Sequence, residues 1–160
     1  MESQRRTIEF VTALALAATM WASLSAQADP FVGTWKVDVA KSQYSPGPAP
    51  KSQTVTYEAV GKAMKITSES INADGSKTLS VFTSELDGKE VPIEGSRTAD
   101  MVSFKRVDSH TTERIDKIKG KVTMRYKSVV APDGKTRVST QTGTDAQGTP
   151  VNNSVFYTKQ

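Results

Sequence analysis

From residue 53 onward, stretches of alternating apolar and polar residues are cut at intervals by glycine-bearing turns. Val55, Tyr57 and Ala59 oppose Thr54, Thr56 and Glu58, and Met64 and Ile66 alternate with Lys65 and Thr67. Val122, Met124, Tyr126, Ser128 and Val130 oppose Thr123, Arg125, Lys127 and Val129. A period of two marks a strand with one buried face and one wet face. The cuts fall at Val60-Gly61-Lys62, Asp74-Gly75, Asp87-Gly88, Lys119-Gly120, Asp133-Gly134 and Gln147-Gly148. Asp-Gly supplies the positive φ angles that tight hairpin turns demand. No segment after residue 28 carries a convincing helical stripe. Strands are therefore expected near 32–40, 53–60, 63–72, 77–86, 89–94, 99–107, 111–118, 121–130, 136–143 and 151–158. About eight to ten strands close a barrel wide enough for one small ligand. The short turns favour an up-and-down meander over a Greek key. The expected fold is all-β: a single antiparallel up-and-down barrel.

Residues 1–28 differ from the rest. Arg5 and Arg6 precede an apolar run from Phe10 to Leu24, and Ala26-Gln27-Ala28 gives the small-x-small pattern of a signal peptidase site. The run reads as a secretory signal peptide cleaved before Asp29, leaving one domain over residues 29–160. An uncleaved anchor is the other reading, but the run is short and interrupted by Thr and Ser. The Arg5-Arg6 pair lacks the surroundings of a twin-arginine signal. The signal looks bacterial, which points to the periplasm, with secretion the alternative.

The chain has no cysteine, which removes disulfides, thiolate metal sites and a cysteine nucleophile. An exported domain of this size must then rest on its apolar core and hydrogen bonds. Its 24% charged and 36% hydrophobic residues fit an ordinary folded domain. The net charge of +4 persists without the signal, because Arg5 and Arg6 cancel Glu2 and Glu9. A mild basic balance can bias a surface toward anions, and a weak contact with an anionic membrane surface is one reading of it. It gives no sign of nucleic-acid binding.

One stretch breaks the strand rhythm. Tyr44-Ser45-Pro46-Gly47-Pro48-Ala49-Pro50-Lys51-Ser52 can be neither helix nor interior strand. It is expected to be a stiff extended loop, either a plain connector or a lid over one barrel mouth. The hairpin Arg114–Lys127 is rich in basic residues, with only Glu113 and Asp116 against them. It reads as a solvated outer face. A positive rim that draws anionic amphiphiles is the other reading.

Phe31-Val32-Gly33-Thr34-Trp35-Lys36 stands at the head of the first expected strand. A Gly-x-Trp in that place, before a meander of this length, resembles the opening of the calycin superfamily. The chain is similar to bacterial lipocalin-like domains and fatty-acid-binding-like barrels. Its last strand, ending Val155-Phe156-Tyr157-Thr158-Lys159, extends the similarity over most of residues 29–160. The resemblance implies a barrel around a cavity, with Gly33 and Trp35 as a structural plug at the closed end. It also implies a ligand carboxylate held by Arg-x-Tyr in the final strand. Tyr157 matches the tyrosine, but Val155 stands where the arginine is expected. The helical lid that follows strand one in those barrels has no counterpart here; the proline-rich loop takes its place.

Strand parity nominates Tyr57, Met64, Ile66, Met101, Met124, Tyr126 and Tyr157 as ligand-binding residues, apolar with occasional hydroxyls. Catalytic signals are thin. His110 is the only histidine, it lies beside an expected turn, and no nucleophile elbow accompanies it. No phosphate loop and no cluster of metal ligands appears. No cofactor is expected. The expected function is therefore a non-enzymatic exported binding protein, a monomer, holding a small hydrophobic or amphipathic ligand in the barrel. The alternative is a protein-interaction or inhibitor module that uses the barrel as scaffold and loop 44–52 as contact surface.

Overall fold

The computed structural model describes residues 28–160, so the expected signal peptide lies, except for Ala28, outside the described residues. Ten antiparallel strands form one sheet: β1 (Gly33–Val37), β2 (Ser52–Val60), β3 (Ala63–Ile71), β4 (Lys77–Ser84), β5 (Asp87–Pro92), β6 (Met101–Asp108), β7 (Thr111–Ile118), β8 (Lys121–Val130), β9 (Thr136–Thr144) and β10 (Pro150–Lys159). The order is β4-β3-β2-β1-β10-β9-β8-β7-β6-β5. Every pairing but one joins sequence neighbours, and the exception, β1 with β10, joins the first and last strands of the described residues. The architecture is the expected up-and-down barrel. A single 3-10 turn, Val39–Lys41, interrupts the described residues.

The barrel is nearly closed. Strands β4 and β5 form no continuous ladder, and the join is a single bridge beyond β5. There the Val81 N–H donates to the Glu94 carbonyl at 3.0 Å and the Glu94 N–H returns to the Val81 carbonyl at 2.9 Å. Gly95 makes this approach feasible. Its φ is +73°, and a Cβ there would lie 1.9 Å from the Leu79 carbonyl oxygen.

The turns form largely where the glycines predict. Lys119 and Gly120 both take positive φ between β7 and β8, the geometry of a two-residue hairpin. Asp87-Gly88 corrects that reading. The pair lies inside β5, where the register shifts between Asp87 and Glu90, so its positive φ serves a bulge. The chain turns instead just before it, at Glu85-Leu86, with Leu86 at φ 58°.

The apolar core gathers at one end. Phe31 and Trp35 are 1% and 0% exposed, and Val102, Val130 and Val155 are buried with them. The Trp35 indole N–H donates to the Phe31 carbonyl at 2.8 Å, which satisfies the one polar atom of this large plug. Gly33 leaves room for Lys159, whose Cε would sit 2.8 Å from a Cβ at that position. Lys159 thereby lies over the Trp35 ring and donates to the Pro30 carbonyl at 3.0 Å.

Candidate ligand-binding site

Above this plug the strands enclose a cavity of about 370 Å³, within the range of small-molecule sites. Strand parity decides its lining. On β2 the inward residues are Tyr57, Val55 and Gln53, and their register partners on β3 are Ile66, Ser68 and Ser70. On β4 the matching set is Phe82, Ser80 and Thr78. The opposite wall takes Arg114 and Asp116 from β7, Tyr126 and Ser128 from β8, Arg137, Ser139 and Gln141 from β9, and Tyr157 from β10. The cavity is thus aromatic and aliphatic at its base and increasingly polar toward the other end.

That other end is the mouth. Tyr44, Pro48 and Pro50 of the proline-rich loop line it, facing Asn72, Asp74 and Ser76 of the β3–β4 turn and Arg97. The loop is fastened to β10: Ser45 N–H donates to Asn153 Oδ1 at 3.0 Å, and Asn152 N–H donates to the Ser45 carbonyl at 2.9 Å. The segment thus borders the mouth and is tied to the last strand.

Three arginines line the cavity: Arg97 is exposed at the mouth, while Arg114 and Arg137 lie deeper, and the situations of these two differ. Arg114 Nε donates to Asp116 Oδ1 at 2.5 Å and Nη2 to Oδ2 at 2.8 Å, a fork-to-fork pair. Asp116 is 2% exposed and also accepts from Tyr126 Oη at 3.3 Å. The pair is self-neutralising. It also corrects the reading of Arg114–Lys127 as a uniform outer face. Arg114 and Asp116, two residues apart and of the same parity, point inward, whereas Lys119, Lys121, Arg125 and Lys127 are exposed.

Among the described residues Arg137 has no such counter-ion. It is 3% exposed, and Nη1 donates to Tyr57 Oη at 2.6 Å. Among the described residues its Nε and Nη2, both buried, have no hydrogen-bond partner. The guanidinium lies over the Tyr157 ring at 4.1 Å, with Tyr57 at 5.2 Å and Trp35 at 5.5 Å. Three ring faces ease the burial of a cation, but they leave two N–H donors unsatisfied. Buried donors in that state are rare and costly, and an anion supplies what they lack.

The tyrosines complete a network. Tyr157 Oη donates to Gln53 Oε1 at 2.7 Å, and Gln53 Nε2 donates to Ser68 Oγ at 3.3 Å. Burial pushes the Tyr157 phenol well above the usual range, an effect that Arg137 partly offsets. Burial raises Tyr126 as well, and there the Asp116 carboxylate adds to the shift.

The residues nominated from parity divide. Tyr57, Ile66, Tyr126 and Tyr157 line the cavity. Met64 lies inward but below it, 4% exposed in the basal core. Met124 shares the inward parity of Tyr126 but packs over Gly143, where a Cβ would meet its Sδ at 2.7 Å, and does not reach the cavity. Met101 is corrected outright. The buried face of β6 belongs to Val102 and Phe104, so Met101 points to the other side, a one-residue parity error. Arg137 was missed. The resemblance directs attention to position 155 for an arginine, and Val155 there is 1% exposed core. The guanidinium comes instead from the neighbouring strand, because Arg137 is the register partner of Tyr157. The alternation of Arg137, Ser139 and Gln141 against Val138 and Thr140 was the available signal, hidden because all three inward residues are polar.

His110 sits at the β6–β7 turn, its Nδ1 2.9 Å from Ser109 Oγ, remote from the cavity. Among the described residues no group of three or more His, Asp or Glu is placed to hold a metal ion.

No family model matches the chain, and no curated protein matches it. Among solved structures, the chain is similar to zebrafish ileal bile acid-binding protein complexed with cholic acid. The TM-score is 0.51 at 16% identity, over 82% of this chain and 99% of that one. At that identity the likeness shows the fold alone, an antiparallel up-and-down β-barrel.

Proposed function

We propose that this chain is a non-enzymatic exported binding protein that holds a small amphipathic anion in its barrel. The observation that carries the reading is Arg137, a buried guanidinium with two unpartnered N–H donors beside an open cavity. A planar carboxylate or similar oxyanion matches those donors in geometry as well as charge. The basal rings and Val55, Ile66 and Phe82 give the ligand apolar contact. In this reading the acid group lies at the base of the cavity and the ligand enters by the mouth, past the proline-rich segment. Tyr57, Ile66, Tyr126 and Tyr157 are the contacts drawn from the sequence nominations, joined by Arg137. The solved barrel of like fold was captured with cholic acid, an amphipathic acid, which agrees in kind. Residues 1–28 supply the export signal, so the site of action is the periplasm or the exterior.

The test is native mass spectrometry of the protein purified without denaturation, together with displacement of the anionic probe anilinonaphthalene sulfonate. Binding of amphipathic acids that falls at least tenfold in Arg137→Met, with the fold intact by circular dichroism, supports the reading. Undiminished binding in that variant, or no displacement by any such acid, overturns it.

A further inference from the structure

The upper cavity is lined unlike a simple apolar tunnel, and this narrows the ligand. Register sets its rows. Tyr57, Ile66 and Phe82 are partners across β2, β3 and β4 at the level that Arg137 reaches through its bond to Tyr57. One inward step toward the mouth brings Ser68 beside Ser80, and a second brings Ser70 beside Thr78. Each step is two residues, about 7 Å along a strand, so the two rows lie about 7 and 14 Å beyond the aromatic base. All four hydroxyls line the cavity. The facing wall repeats the pattern: Ser128 and Ser139, bonded to each other at 3.0 Å, then Gln141.

A bare methylene chain rising from Arg137 would displace water from these hydroxyls and return no hydrogen bond. A ligand with hydroxyls at that height would return them. Ser68 Oγ already accepts from Gln53 Nε2 and Thr78 Oγ1 is bonded to Asn72, so the discrimination falls mainly on Ser70 and Ser80, half-buried hydroxyls that a methylene chain would cover without a hydrogen bond.

We infer that the ligand is a hydroxylated organic acid, with its acid group on Arg137 and its hydroxyls one to two residue steps nearer the mouth, against Ser68, Ser80, Ser70 and Thr78. This rests on the anion reading above and specifies the class of ligand within it.

The experiment compares three acids that share one chain length and one headgroup: stearate, 2-hydroxystearate and 9,10-dihydroxystearate. Each displaces anilinonaphthalene sulfonate from the natively purified protein and from the Ser68→Ala/Ser80→Ala variant. The expected result is that 9,10-dihydroxystearate binds at least tenfold more tightly than stearate. A hydroxyl beside the carboxylate, as in 2-hydroxystearate, gains less than threefold. In the double variant the mid-chain preference shrinks to threefold or less. Equal or tighter binding of stearate by the unaltered protein overturns the inference while leaving the anion site standing, provided Arg137→Met weakens all three acids. A preference that survives intact in the double variant overturns the assignment to these rows. Failure of all three acids to displace the probe overturns both readings together.

Discussion

Arg137 and Tyr57, eighty positions apart, meet inside the barrel through a 2.6 Å hydrogen bond from Nη1 to the phenolic oxygen. That contact fixes the guanidinium at the cavity base and leaves Nε and Nη2 free for a ligand. Tyr57→Phe removes the acceptor of Nη1. Loss of a buried hydrogen bond to a charged group costs about 1.5–3 kcal/mol. The ligand-free variant should unfold at lower urea, its extrapolated stability reduced by that amount. A bound amphipathic acid should recover part of the loss, readable as a larger ligand-induced rise in Tm than in the unaltered protein. An unchanged denaturation midpoint would contradict the role given to Tyr57.

Arg114 and Asp116 present the opposite case, a buried pair already complete. Asp116→Ala strands Arg114 and takes the carboxylate partner from Tyr126, so a loss of about 3–5 kcal/mol is expected. Replacing both, as Arg114→Met with Asp116→Leu, removes the uncompensated charge and should cost far less. Chemical denaturation of the two variants side by side decides the matter; equal losses would mean that the pair is not isolated from other charges.

Alkaline pH should expose the buried phenols. Tyr126 and Tyr157 are raised by burial, while in the unfolded chain each titrates near about 10. The neutral form is the one the fold favours, so their contribution is fully present below about pH 10. It falls as the unfolded state begins to release protons above that value. Stability should be flat in this respect through neutral pH and decline steeply above about 10. Tyrosinate absorbance should show these two phenols titrating only with unfolding. In Tyr126→Phe/Tyr157→Phe the alkaline slope should be shallower, and an identical slope would remove these residues as its cause.

The proline-rich segment is held to β10 partly through Asn153, which accepts from Ser45 N–H and donates to Gln141. Asn153→Ala should loosen the segment without touching the basal site. Stopped-flow measurement with anilinonaphthalene sulfonate should show association and dissociation both faster, with the equilibrium constant changed less than either rate. Unchanged rates would make the segment a passive connector.

Gly95→Ala should open the seam at β4. The added Cβ meets the Leu79 carbonyl at 1.9 Å, and the positive φ strains any side chain. A loss above about 1 kcal/mol is expected. Hydrogen exchange should localise it to the Val81 and Glu94 amides, and protection retained at both would place the closure elsewhere.

Much of the fold was legible in the chain itself. Alternation such as Val55, Tyr57 against Thr54, Thr56 sets strand type and face, and Lys119-Gly120 sets a hairpin, because both are local consequences of backbone geometry. The expected ten strands and the observed ones agree to within a few residues at their ends. Local patterning failed where polarity and parity part company. Met101 is apolar yet faces outward beside buried Val102, whereas Arg114, Asp116 and Arg137 are charged yet face inward. A hydrophobic pattern cannot announce a polar interior.

The sequence by itself determined the strands, their order of pairing through short turns, and hence an up-and-down barrel. Tertiary structure alone decided what the barrel holds. Barrel closure brings β2 against β9 across the interior, and only then do Tyr57 and Arg137 meet and two buried donors remain unanswered. That outcome depends on register between strands distant in the chain, where a shift of one residue would reverse every inward face.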